Sequence, residues 1–258
     1  MTTTLFKGID IGTVPSTPTS LATVPALRHY KLFEYAKHFG KPFGYIQEQG
    51  GELVQNIFPI QTTESAQIST SSKVNLALHT ETAFHPCRPE HVLLLCLRGD
   101  KTAFTTYADL SDILQGLTDK TINTLKNKWF RTRVDESFRT KGEPDAKFDI
   151  AILSDNGTGL EIRYDRDFMQ GLWGDACDAL EELNTVIEAN TKEVSLEAGD
   201  LLVIDNKTTV HGRKPFKPAY DGADRWVQRM LVRRDIPSHV EHQTCPFTGH
   251  NIIIMNIK

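Results

Sequence analysis

Cysteine is scarce in this chain. Its 258 residues include only Cys87, Cys96, Cys177 and Cys245, far apart and with no C-x-x-C pair. That excludes a disulfide framework or a cysteine-rich zinc site and suits reduced thiols in a cytoplasmic protein. No cationic start followed by an apolar stretch opens the sequence, so no secretory signal is read. Long apolar runs are missing too: Val92–Leu97 and Leu201–Ile204 fall far short of the roughly 18–20 residues of a membrane-spanning helix. Nor is there a basic surplus, with 29 Lys+Arg against 33 Asp+Glu, which argues against a general nucleic-acid binder. Neither an internal repeat nor a Gly/Ser- or Pro-rich linker divides the chain. Residues 1–258 are read as one domain, with 1–25 an irregular opening segment and 236–258 a tail.

What is present is an ordinary globular composition, 39% hydrophobic and 24% charged, with many short apolar segments. Leu27 to Phe39 has helical spacing and a stop at Gly40. Val74, Leu76 and Leu78 alternate as on a strand with one buried face. Val92–Leu97 is a continuous apolar run, suited to a strand covered on both sides. Further strands are expected at Trp129–Val134, Phe148–Leu153, Leu160–Tyr164, Leu201–Ile204 and Trp226–Val232. Helices are expected at Leu110–Leu117, at Thr118–Lys128 with Thr118 as cap, and at Asp175–Ala189. Short strands with inserted helices point to a mainly β fold, a sandwich or jelly roll with helices packed on one side.

The histidines carry the chemistry. His79 and Glu81 are two apart and project together if strand geometry continues past His79. An imidazole beside a carboxylate is two thirds of the two-His-one-carboxylate triad that holds Fe(II) by one face and leaves the opposite positions open. His211, in Val210-His211-Gly212-Arg213 after a probable strand, supplies the missing imidazole. Arg225, opening the next strand, offers a planar fork for a carboxylate. The other H-x-E, His239-Val240-Glu241, has no later arginine beside a histidine and reads as a solvated C-terminal segment. His85 and Cys87 could join His79 and Glu81 in a zinc site, but Pro86 interrupts the strand and packing is the favoured reading.

Two segments, HTETAFHPCRPEHVLLLCLRGD (79–100) and DNKTTVHGRKPFKPAYDGADRWVQRMLVRRD (205–235), resemble the clavaminate synthase-like Fe(II)/2-oxoglutarate-dependent oxygenases. That group includes hydroxylases of free arginine and asparagine. A looser similarity runs from about Gly40 through Gly44-Tyr45-Ile46-Gln47-Glu48-Gln49 to about Asp235. The resemblance implies a double-stranded β-helix of the cupin-like jelly-roll type. It implies Fe(II) ligation by His79, Glu81 and His211, with 2-oxoglutarate and O2 as co-substrates. Arg225 would hold the distal carboxylate of 2-oxoglutarate, helped by Thr105, with Thr106 adjacent. Arg229 would lie near the substrate carboxylate or the co-substrate, and Ser69 and Gln49 near the amino-acid head group. The implied reaction is hydroxylation at the β or γ carbon of a free amino acid or derivative, in specialised metabolism such as antibiotic biosynthesis. Glu81 argues against a halogenase, which needs its position for halide.

Several readings stay open at this level. Asp165 and Asp167 could receive the cationic end of a basic substrate, or could pair with Arg163 or Arg166 or cap the following turn. A non-amino-acid substrate such as a sulfonate, a desaturation or ring closure, and a jelly-roll protein that binds metal or ligand without turnover are the alternatives. The expected partner is a small molecule, not a nucleic acid or a membrane. Phe216, Tyr220 and Phe247 could serve packing or an interface.

Overall fold

The structure is a computed structural model that describes residues 3–14, 26–135, 138, 146–245 and 249–254. It is mainly β. The largest sheet has eight strands, in the order Thr4–Phe6, Leu201–Asp205, His91–Arg98, Trp226–Arg233, Lys41–Tyr45, Asn251–Ile253 and His242–Thr244, with Gln55–Ile57 also paired to Trp226–Arg233. A second sheet has four strands, Lys192–Ser195, Phe104–Asp109, Thr209–Arg213 and Leu76–His79.

Period-two alternation decides what each sheet face does. On His91–Arg98, the side chains of Leu93, Leu95 and Leu97 enter one core with Leu32 and Ala36 of the helix Ala26–Ala36. Those of Val92, Leu94 and Cys96 enter another with Phe43, Val227 and Leu231. The strand is covered on both sides, as its unbroken apolar run predicts, and each buried leucine contributes about 1.5–3 kcal/mol. On the four-stranded sheet, Leu78, Ala108 and Val210 pack away from the cleft, against the helices Leu110–Gly116 and Gly174–Ala189. Alternate residues on the same strands, His79, Thr105 and His211, therefore turn the other way, toward Val92, Leu94 and Val227 of the large sheet. No helix among the described residues is long and apolar enough to cross a membrane.

Most expected elements form. The helix Asp119–Leu125 is capped as anticipated, the Thr118 hydroxyl accepting from Thr121 N–H at 3.2 Å. Phe148–Leu153 divides into Lys147–Ile150 and Leu153–Asp155. Both chain ends correct the expectation. Thr4–Phe6, inside the segment read as irregular, pairs antiparallel with Leu201–Val203. Asn251–Ile253, inside the supposed tail, lies parallel to Phe43–Tyr45. Val240 is buried in the core while His239 and Glu241 are exposed, and that H-x-E is not part of the metal-capable group found among the described residues. Residues 15–25 and Phe247 lie outside the described residues.

Candidate active site

The facing sheets enclose a cleft of about 1040 Å³, measured out to its solvent mouth. At its centre the strands Leu76–His79 and Thr209–Arg213 place His79 directly across from His211, with ring centroids 4.6 Å apart. Gly212 makes that pairing possible, because a side chain there would run into the Leu76 carbonyl. Gly212→Ala is expected to cost about 1–3 kcal/mol, read as a lowered melting temperature together with weakened Co(II) binding.

Glu81 arrives by a different route from the one expected. The strand ends at His79, and Glu81 sits in the turn that follows. Its backbone is held on both sides by the Asn206 side chain: Glu81 N–H donates to Oδ1 at 2.7 Å, and Nδ2 donates back to the Glu81 carbonyl at 3.1 Å and to the Pro89 carbonyl at 2.9 Å. Thr82, with φ at +55°, turns the chain away immediately afterwards, a conformation rarely adopted by a β-branched residue. Among the described residues, His79, Glu81 and His211 are the metal-capable group, with one ligand atom from each lying within 4.8 Å of the others. Glu81 Oε2 is 3.6 Å from His211 Nε2.

The protonation states suit a cation. His79 Nδ1 lies 2.8 Å from the Ala77 carbonyl; a carbonyl can only accept, so Nδ1 is the donor there and Nε2 is the nitrogen left for a metal. Burial and the neighbouring His79 keep His211 deprotonated by lowering its pKa. Burial alone would raise the Glu81 pKa, but Arg229 and the two imidazoles hold it far below the usual carboxylate range. Two imidazoles and one carboxylate at one point form the facial donor set suited to Fe(II).

Arg229 reaches the same point from the large sheet. It donates from Nη1 to Glu81 Oε1 at 2.7 Å, from Nη2 to Glu48 Oε1 at 2.9 Å and from Nε to Gln55 Oε1 at 2.7 Å. Burial would lower its pKa, yet Glu48 and Glu81 hold it above the normal arginine value. Arg225 also lines the cleft, 6% exposed, its Nη2 3.4 Å from the Thr105 hydroxyl. Ser69 lines the cleft, while its carbonyl accepts from Arg213 Nη1 at 2.7 Å.

Other expected residues divide. Gln49 is exposed, at the start of the short turn Gln49–Gly51, and does not line the cleft; its neighbour Glu48 does. A positive φ at Gln49 carries the chain away from the cavity at that residue. Asp165 faces the cleft and also caps a turn, its Oδ1 accepting from Asp167 N–H at 2.9 Å and Phe168 N–H at 3.0 Å. Burial raises its pKa. Arg166 pairs with Glu188 instead, and Asp167 lies exposed at the rim of the cleft. His85 is a packing residue: burial pushes it down to about 4, and its Nδ1 accepts from Cys87 N–H at 3.0 Å. Cys87 is likewise inert, its thiol pushed up by burial to about 11. Phe216 packs under Arg213, and Tyr220 binds Ser72 and Glu64 through its hydroxyl.

Sequence reasoning missed Glu48, Asp135 and Arg213, all lining the cleft. Asp135 is a buried acid whose pKa is raised well above normal by desolvation and by Asp165, Glu81 and Glu48. No spacing signal marks these three; only the H-G-R triplet, two residues past His211, put Arg213 within view.

Residues 24–231 match the model of the taurine catabolism dioxygenase TauD, TfdA family. The chain is 37% identical to the L-lysine 3-hydroxylase of Catenulispora acidiphila over 244 residues, covering 90% of this chain and 67% of that protein. It is 35% identical to the L-asparagine oxygenase of Streptomyces coelicolor over 239 residues, covering 90% of this chain and 71% of that one. The crystal structure of the non-heme iron oxygenase OrfP in complex with Fe and alpha-ketoglutaric acid superposes with a TM-score of 0.80 at 32% identity, covering 91% of this chain and 76% of that one.

Proposed function

Because the chain belongs to the TauD/TfdA dioxygenase family and is an Fe(II)/2-oxoglutarate-dependent oxygenase, we propose that it hydroxylates the β or γ carbon of a free L-amino acid with a basic side chain. The observation that carries this reading is the division of charge around the triad. Arg225 stands with Thr105 on one side, while Asp135, Asp165 and Asp167 line the cleft as well. The facing sheets are read as a cupin-like jelly roll in a single domain. Four cysteines, none of them joined in a disulfide, support a reducing, cytoplasmic setting.

His79, Glu81 and His211 would hold Fe(II), which with 2-oxoglutarate and O2 supplies the oxidising power for C–H hydroxylation, giving succinate and CO2. The protein's own task is placement. Arg225 and Thr105 take the distal carboxylate of 2-oxoglutarate. Arg229 and Ser69 take the amino acid's α-carboxylate, and Glu48, already anchored on Arg229, lies on the same side to receive the ammonium group. Asp165 keeps one carboxylate oxygen beyond its turn-capping contacts for the cationic side chain, with Asp135 beside it in the same electrostatic neighbourhood.

The test is succinate release from Fe(II)-loaded enzyme with a panel of amino acids that includes lysine, ornithine, arginine and asparagine. Basic members are expected to stimulate turnover most. A charge-assisted hydrogen bond contributes about 1.5–3 kcal/mol, so Asp165→Asn is expected to raise KM for the best basic substrate about 10- to 100-fold. Uncoupled 2-oxoglutarate turnover is expected to persist in that variant. Preference for a neutral amino acid, with KM unmoved in Asp165→Asn, would refute the basic-substrate reading.

A further inference from the structure

A second guanidinium shares the neighbourhood of Arg225. Arg213 ends the strand that carries His211, two residues on and therefore on the same face. Its register partner on the adjacent strand is Thr105, whose hydroxyl is the one Arg225 reaches. Arg213, Thr105 and Arg225 all line the cleft. Arg213 is only 5% exposed. Its Nη1 and Nη2 donate to the Ser69 carbonyl at 2.7 Å and the Ser71 hydroxyl at 2.9 Å. Its Nε is buried with no hydrogen-bond partner.

A buried cation is ordinarily matched by an anion. Glu81 and Glu48 match Arg229, and Glu161 matches Arg88. Among the described residues, neither Arg213 nor Arg225 forms an ion pair, and the charged neighbour that acts on Arg213 is Arg225 itself. Two buried like charges lining one cleft, one of them on the Thr105 hydroxyl and the other with an unused N–H, describe a receptor for an anion supplied from outside. We propose that Arg213 is a second arm of the co-substrate site, its guanidinium closing with Arg225 and Thr105 on the distal carboxylate of 2-oxoglutarate. Because the same guanidinium grips Ser69 and Ser71, filling that site also steadies the segment that lines the amino-acid side of the cleft. The proposal rests on the oxygenase reading above.

The experiment is anaerobic calorimetry on Co(II)-loaded enzyme with two probes, 2-oxoglutarate and 2-oxobutanoate, which keeps the chelating 2-oxo acid but lacks the distal carboxylate. Arg213→Met is expected to weaken 2-oxoglutarate about 10- to 100-fold, the range of one charge-assisted contact, with 2-oxobutanoate unchanged within about twofold. Arg213→Lys, which keeps the charge without the fork, should show a smaller loss confined to 2-oxoglutarate, and it serves if the methionine variant fails to fold. Ser71→Ala, which removes only the loop contact, should leave both probes unchanged. Equal loss for both probes, no loss for either, or a loss in Ser71→Ala as large as in Arg213→Met would reduce Arg213 to a clamp on the loop and overturn the proposal. Wild-type enzyme that binds the two probes alike would instead count against the Arg225–Thr105 assignment.

Discussion

Glu81→Gln is expected to abolish succinate formation and to weaken Fe(II) or Co(II) binding by more than the roughly 10- to 100-fold that follows loss of a ligand's outer hydrogen-bond partner. The substitution keeps the size and shape of the side chain and removes only its charge. In the wild type, that charge is protected: Arg229 and the two imidazoles hold Glu81 ionised although it is buried. Glutamine offers a metal a neutral oxygen and presents an N–H₂ group toward His211 or Arg229, each of which stood against a carboxylate oxygen. Glu81→Asp retains the charge but is one methylene short, so it is expected to recover part of the metal affinity and little of the turnover. Metal titration followed by Co(II) absorption separates the two effects. Wild-type metal affinity in Glu81→Gln would remove the carboxylate from the coordination site.

How Glu81 reaches the site also shows what a sequence can and cannot reveal. The pair His79 and Glu81 and the later His211 are legible because the metal ligation proposed for them restricts residue type. The path between His79 and Glu81 is not, since it depends on Asn206, far along the chain, gripping both the N–H and the carbonyl of Glu81. Strands that build the apolar core, such as His91–Arg98 and Leu201–Asp205, announce themselves by composition. Thr209–Arg213 and Phe104–Asp109 do not, because their cleft-facing positions carry His211, Arg213 and Thr105. Function there replaces the hydrophobic alternation by which a strand is ordinarily recognised. Thr4–Phe6 is hidden for another reason: three residues are too short for a periodic signal, and their conformation comes from pairing with the strand beside them. Acids that line the cleft, such as Glu48 and Asp135, are the least legible, for nothing local distinguishes them from the solvated carboxylates on the surface.

Arg229→Met should show the largest effect on stability. In the folded protein Arg229 stands between two largely buried carboxylates and binds both, with Gln55 completing its contacts. Removing one partner of a buried ion pair costs about 3–5 kcal/mol, because the remaining charge stays desolvated. For a chain of this size that corresponds to a fall of roughly 10 °C in the melting temperature of metal-free enzyme. The pH dependence should reverse as well. In the wild type Glu81 has a folded pKa below its unfolded one, so its contribution is present above the unfolded carboxylate pKa and is lost as pH falls through the folded value. Without Arg229 the largest influence opposing burial is gone, and the folded pKa is expected to rise above the unfolded one. The variant then gains relative stability as pH falls through that raised value and loses it as pH rises. Melting curves of metal-free wild type and Arg229→Met from pH 5 to pH 8 would read this directly: the gap between them should widen toward pH 8. Co(II), by supplying a cation to Glu81, should close part of that gap at pH 8. A gap independent of both pH and metal would mean that Arg229 contributes packing alone and does not hold the carboxylate in its ligating state.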